Sequence, residues 1–220
     1  VQQIKDAGVW NKLDGLFMLA AHDNQAGRVN WINPGFVAPI AGTVTFTTDR
    51  GFTPNGGASW INASAVPTVR RTTSSASLGV RISDVGAPTI LPASAQPDIG
   101  NGGDFYIIMR NISFFAQSEL DTSLSTSSGT VASTSRNVVS TLTGTTLDIY
   151  TGSSSMANIG SQSVTPTGLI SASPFIGSNG GAASSTRRFS CAYFGGYLTP
   201  TEISNLTTAI NAYHTAIGSP

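Results

Sequence analysis

Apolar residues recur along this chain in short alternating runs separated by glycine, proline, asparagine and serine; only near the two ends do they fall at helical spacing. The clearest run is 189–194, where Phe189, Cys191 and Tyr193 alternate with Ser190, Ala192 and Phe194, as a strand with one face in a core requires. Gly195 and Gly196 break it. Thr199-Pro200-Thr201-Glu202 then reads as a capping box, with a hydroxyl to accept a backbone N–H, a proline at the first helical position and a glutamate to reach back. Leu198 and Ile203 stand where a hydrophobic staple belongs. Ile203, Leu206, Ile210, Tyr213 and Ile217 follow on one stripe, which predicts an amphipathic helix over 199–217, stopped by Gly218, Ser219 and Pro220. His214 lies off that stripe and is expected at the surface or the helix flank.

At the other end Ile4, Val9, Trp10 and Leu13 predict a short helix over 1–13, weakened by Gly8. Residues 16–21 read as a buried strand and 29–32 as another, ended by the turn Asn33-Pro34-Gly35. The segment 43–48 alternates cleanly, and 49–52 with 54–57 reads as the loop after it. Further strands are expected at 60–63, 77–82, 105–110, 112–117 and 169–176, and a hairpin at 138–142 and 146–150 around Thr143-Gly144-Thr145. About ten short strands without strand–helix–strand alternation predict an all-β, antiparallel two-sheet sandwich, with a helix at each end of one domain spanning 1–220. The Ser/Thr-rich segment 122–135 is expected to be an exposed strand or a long loop.

Composition narrows the function classes. Hydrophobic residues make up 40% of the chain, enough for a sizeable core, but charged residues only 10%, well below the roughly 25% of an average soluble protein. Eleven Lys and Arg balance eleven Asp and Glu, so nothing directs the chain to nucleic acid or an anionic membrane. The single Cys191 excludes an intrachain disulfide, and its place in an alternating strand makes it a small buried hydrophobe. The apolar run 16–21 is too short to insert in a bilayer. The abrupt start at Val1 suggests a missing upstream segment, which the first helix would continue.

Three motifs carry a resemblance: GVWNKLDGLFMLAAHDNQAGRVNWINPG near the start, FTTDRGFTPNG in the middle and YFGGYLTPTEISNLTTAINAYHTAIG at the end, with ASLGVRI, TLDIYTG and FIGSNGG between them. They resemble the concanavalin A-like lectin/glucanase (laminin G-like) jelly-roll domains of bacteriophage and prophage virion or tail proteins. The resemblance implies a structural or glycan-binding component of a virion fibre, spike, tail or decoration. Implied partners are other virion proteins, host surface polysaccharide and further copies of the chain in a homo-oligomer. No cofactor is expected.

Catalysis in this fold class requires two opposed carboxylates projecting from a strand into a cleft. Glu119-Leu120-Asp121 supplies the first two members of the E-x-D-x-x-E-like glucanase pattern, but Thr122, Ser123, Leu124 and Ser125 follow, and Glu202 is taken as a helix cap. No catalytic residue is therefore assigned, and the chain is expected not to be an enzyme; the alternatives are a glycan-degrading enzyme of the same fold or a calcium-dependent lectin. His22 beside Asp23, and His214, stand without the G-x-S-x-G elbow of a hydrolase. Asp98, Asn101 and Asp104 place oxygen donors in a glycine-rich loop that suits Ca²⁺, although such turns usually cap their own backbone, and no metal ligand is assigned. Sugar binding calls for an exposed ring among polar groups. Trp31, Trp60, Phe52 and Tyr197 are the aromatic candidates, and the group chosen is Asp49, Arg50, Asn55 and Trp60.

Overall fold

Alternating side chains need two surfaces to bury against, and the chain supplies both, one in a second sheet and one in its last helix. The computed structural model describes residues 1–63, 66–83, 98–101, 106–110, 115–120, 127–130, 136–167, 174–178, 180 and 184–219. In chain order the strands are β1 (Leu13–Phe17), β2 (Ile40–Ala41), β3 (Val44–Thr47), β4 (Gly51–Pro54), β5 (Trp60–Asn62), β6 (Ser75–Ile82), β7 (Ile99–Gly100) and β8 (Tyr106–Arg110). Then follow β9 (Phe115–Glu119), β10 (Ser127–Thr130), β11 (Asn137–Thr143), β12 (Thr146–Gly152), β13 (Ala157–Ser163), β14 (Phe175–Ile176) and β15 (Phe189–Gly195). The helices are α1 (Gln2–Asp6), α2 (Asn24–Gly27) and α3 (Pro200–Ala216), with one 3-10 turn at Trp10–Lys12.

One sheet runs β13-β12-β11-β6-β15-β4-β3, with β1 also beside β15; the other runs β10-β9-β8-β7-β14-β5-β2. The pairings are antiparallel. Ala76, Leu78, Val80 and Ile82 of β6 join Phe189, Ala192 and Phe194 of β15 in the core between the sheets. Cys191 and Tyr193, on the other face of β15, form a second core with Leu13, Leu16, Met18 and the α3 residues Ile203, Leu206 and Ile210. The first sheet is thus buried on both sides around β15 and β6. Gly79 permits this packing, because the Tyr193 ring occupies the space a Cβ would need.

The all-β sandwich and the terminal helix stand as the patterning predicts. Thr199 Oγ1 accepts from Glu202 N, and the Glu202 carboxylate accepts from Thr199 N, closing the capping box with Pro200 at its start. Other expectations need correction. The first helix ends at Asp6 because Gly8 takes a φ of 74°, and β1 has begun by Leu13. Residues 29–32 form no strand beyond the bridge Val29–Val37; Asp23 caps α2 just before them, and the Asn30 side chain takes the N–H groups of Leu16 and Ile32. β4 forms where a loop was expected, and β13 is a mostly exposed edge strand whose polar sequence carries no alternation. Of the expected strand 169–176, residues 169–173 lie outside the described residues. His214 is 1% exposed, contrary to its expected surface position, because the flank of α3 is sunk against the sheet as well as its apolar stripe.

Candidate functional site

A cleft with the makings of a recognition site lies where β1 begins. It has a volume of about 270 Å³ and is lined by Trp10, Asn11, Ile32, Asn33, Val69 and Arg70, among others. Three separate segments build it: the 3-10 turn before β1, the loop through residues 30–36 and the loop through residues 66–71. Two buried polar side chains hold these segments together. Asp14 Oδ1 accepts from the backbone N–H groups of Val69 (2.9 Å) and Arg70 (2.8 Å), while Oδ2 lies 3.2 Å from Arg71 Nε. The side chains of that ion pair are 0% and 1% exposed. Asn30 Oδ1 accepts from Leu16 N (3.1 Å) and Ile32 N (3.0 Å), and its Nδ2 donates to the Asp14 carbonyl at 3.2 Å.

A carboxylate in so dry a place is tolerable because three donors meet it. Arg71 also donates to Thr68 Oγ1 at 2.8 Å and stacks 5.3 Å from the Phe194 ring centroid, which ties the loop to β15. Burial pushes the Arg71 pKa below its ordinary value, and the facing Asp14 opposes that shift. On the rim, Arg70 is exposed and Trp10 half-buried, with Lys5 Nζ 5.0 Å from the indole centroid. Val69 is 65% exposed, a rare outward-facing aliphatic among the described residues. A partly exposed indole in a cleft also lined by Asn11 and Asn33 offers an apolar face for sugar C–H groups, with donors and acceptors for hydroxyls.

The four residues chosen from the sequence do not share one place. Asp49 and Arg50 sit at the turn of the β3–β4 hairpin; Asp49 N donates to the Ala21 carbonyl, and Arg50 Nη1 donates to the Gly218 carbonyl at the end of α3. Asn55 is at the far end of β4, about 16 Å of extended chain from Arg50. Its side-chain oxygen accepts from Gly57 N and Ser59 Oγ, so it closes its own turn. Trp60, on β5 in the other sheet, packs edge-on against Phe175 with centroids 5.7 Å apart, and its indole N–H is buried. Sequence reasoning missed Asp14, Asn30, Asn33 and Arg70 as parts of a site and placed Trp10 in a helix. The available signal was an aromatic residue followed by a polar, turn-rich segment at 30–35.

Asp98 is 0% exposed and ties loops together, accepting from Ser185 Oγ at 2.9 Å and lying 3.1 Å from Arg187 Nη1. Asn101 is half-buried, and Asp104 lies outside the described residues, as do Asp121 and the Glu119 side chain. His22 Nε2 lies 2.7 Å from Asp23 Oδ2 on the surface.

No family model and no curated protein matches the sequence. Solved structures do share its fold. A sialidase from Trypanosoma rangeli matches with a TM-score of 0.54 at 18% identity, over 90% of this chain and 32% of that one. Domain 4 of a GH43 extracellular arabinanase from Geobacillus stearothermophilus, solved with arabinotriose, matches with a TM-score of 0.54 at 14% identity, over 89% and 98%. The binding domain of botulinum neurotoxin DC, in complex with SialylT, gives 0.53 at 12% identity, over 92% and 52%. The chain spans about a third of the sialidase and about half of the toxin domain. These neighbours overturn the expectation of a chain that is not an enzyme, since the sandwich occurs within glycosidases. The virion setting and its partners rest on the sequence resemblance alone. What the likenesses establish is the fold, an antiparallel two-sheet sandwich of the jelly-roll kind.

Proposed function

We propose that this chain is a carbohydrate-binding β-sandwich domain of a protein that recognises or acts on glycans, with the Trp10 cleft as its sugar site. The observation that carries this reading is a partly exposed indole in one cleft with Asn11, Asn33 and Arg70, on loops locked by the buried Asp14 and Asn30. Such locking matters because a shallow site gains affinity only if its groups are already in position when the ligand arrives. The neighbours solved with arabinotriose and SialylT support the class of ligand. The finer reading, a virion component that grips host surface polysaccharide, is supported by the sequence resemblance.

The test is calorimetric titration of the chain and its Trp10→Ala and Asn33→Ala variants with oligosaccharides identified on a glycan array. Loss of the ring is expected to weaken binding about tenfold or more, and loss of the Asn33 amide about fivefold. Full affinity in a folded Trp10→Ala protein would remove the cleft from the reading.

A further inference from the structure

Resting on the carbohydrate reading of the Trp10 cleft, we infer that its ligand is an acidic sugar whose carboxylate is gripped by Arg70. The charges around the cleft are not balanced locally. Asp14 is sealed against Arg71 and the backbone of Val69 and Arg70. Glu202 is held by Lys12, with Nζ 2.7 Å from the carboxylate. Asp6, on α1, accepts from Gln2. Gln2 is uncharged, so these three acids stand against four cations, Lys5, Lys12, Arg70 and Arg71, an excess of one positive charge around the cleft. Lys5 rests on the Trp10 ring, and the exposed Arg70 guanidinium has no ion-pair partner among the described residues.

The main chain of Arg70 is pinned while its side chain is left to project at the rim. Its N–H is bound to the buried Asp14 carboxylate, so the residue enters the cleft from a fixed point. A planar guanidinium there presents paired N–H donors in the geometry that matches a carboxylate. In a chain with as many acids as bases, that excess of one cation, with Lys5 and Arg70 both exposed near one aromatic residue, gives a local positive field. A sugar ring against Trp10, with its carboxylate toward Arg70 and its hydroxyls toward Asn11 and Asn33, uses every polar group on the rim. Both sialic and uronic acids carry that carboxylate.

The experiment compares two matched pairs, 3′-sialyllactose against lactose and a trigalacturonate against its methyl ester, by titration at low and at high NaCl. The acidic member of at least one pair is expected to bind about five- to tenfold tighter, with the advantage shrinking in salt. Arg70→Ala is expected to abolish that advantage, and Arg70→Lys to keep part of it. Whichever pair shows the preference identifies the source of the carboxylate. Equal binding of acidic and neutral members, or a preference unchanged in Arg70→Ala, overturns this inference and leaves the carbohydrate reading standing. Absence of binding to both pairs and across a glycan array sinks the carbohydrate reading and this inference with it.

Discussion

Asp14 shows how one side chain decides the shape of a surface it barely touches. Its two oxygens hold one loop by two backbone N–H groups and a guanidinium, and its own carbonyl receives Asn30 from another. Asp14→Ala leaves Arg71 buried without its counter-charge and is expected to cost about 3–5 kcal/mol, read as a lower urea midpoint. Thr207 is the opposite case: its hydroxyl is buried under α3 without a hydrogen-bond partner among the described residues. Thr207→Val keeps the shape and removes the desolvated hydroxyl, so thermal unfolding should show a gain of about 1 kcal/mol. At this scale the sequence was legible only in part. Cys191 is the inert thiol its alternating strand implied, with burial pushing its pKa up to about 12. Asp14 carried no comparable sign, because its partners lie 55 to 57 positions away.

Among the elements, α3 closes the second core against the outer face of β15. Its cap, its staple and its stripe were all readable, since each depends on neighbours within five positions. Tertiary contacts then added more: Tyr213 donates to the Ala20 carbonyl at 2.8 Å, Asn211 to the Ser153 carbonyl, and Glu202 meets Lys12. Burial alone would push the Glu202 pKa up, but the hydrogen bonds from Lys12 and Thr199 outweigh it and hold the pKa below the ordinary value. Thr199→Ala is expected to cost about 1 kcal/mol, measured as a lowered Tm, and to unseat Glu202 from the cap. β4 and β13 were not legible for a related reason. Such strands depend on hydrogen-bond partners more than on a pattern: β4 is held between β15 and β3, and β13, with only Ala157 and Ile159 apolar apart from a glycine, is the edge strand beside β12.

For the whole molecule, the burial of His214 sets a pH dependence. Burial, then the charges of Arg81 and Arg136, push its pKa down to about 3. The folded protein keeps the ring neutral while the unfolded chain protonates it near pH 6.5, so between those values the unfolded state binds more protons. Stability is therefore full above about pH 6.5 and falls as the pH drops toward 3, by up to about 1.4 kcal/mol per unit. The lowered carboxylates Asp23 and Glu202 lose their contribution only at more acid pH, which leaves the decline from 6.5 to 5 to His214. Denaturant midpoints between pH 8 and 5 should fall in the native protein and stay flatter in His214→Leu. By itself the sequence determined the strand-rich class, the hairpin at Gly144 and the terminal helix, because periodicity and capping act between near neighbours. Only the tertiary structure decided that His214 is sealed in, that Asn55 and Trp60 stand apart from Arg50, and that Trp10, Asn33 and Arg70 share a cleft. Those outcomes depend on which distant strands close on one another, and no local spacing encodes that.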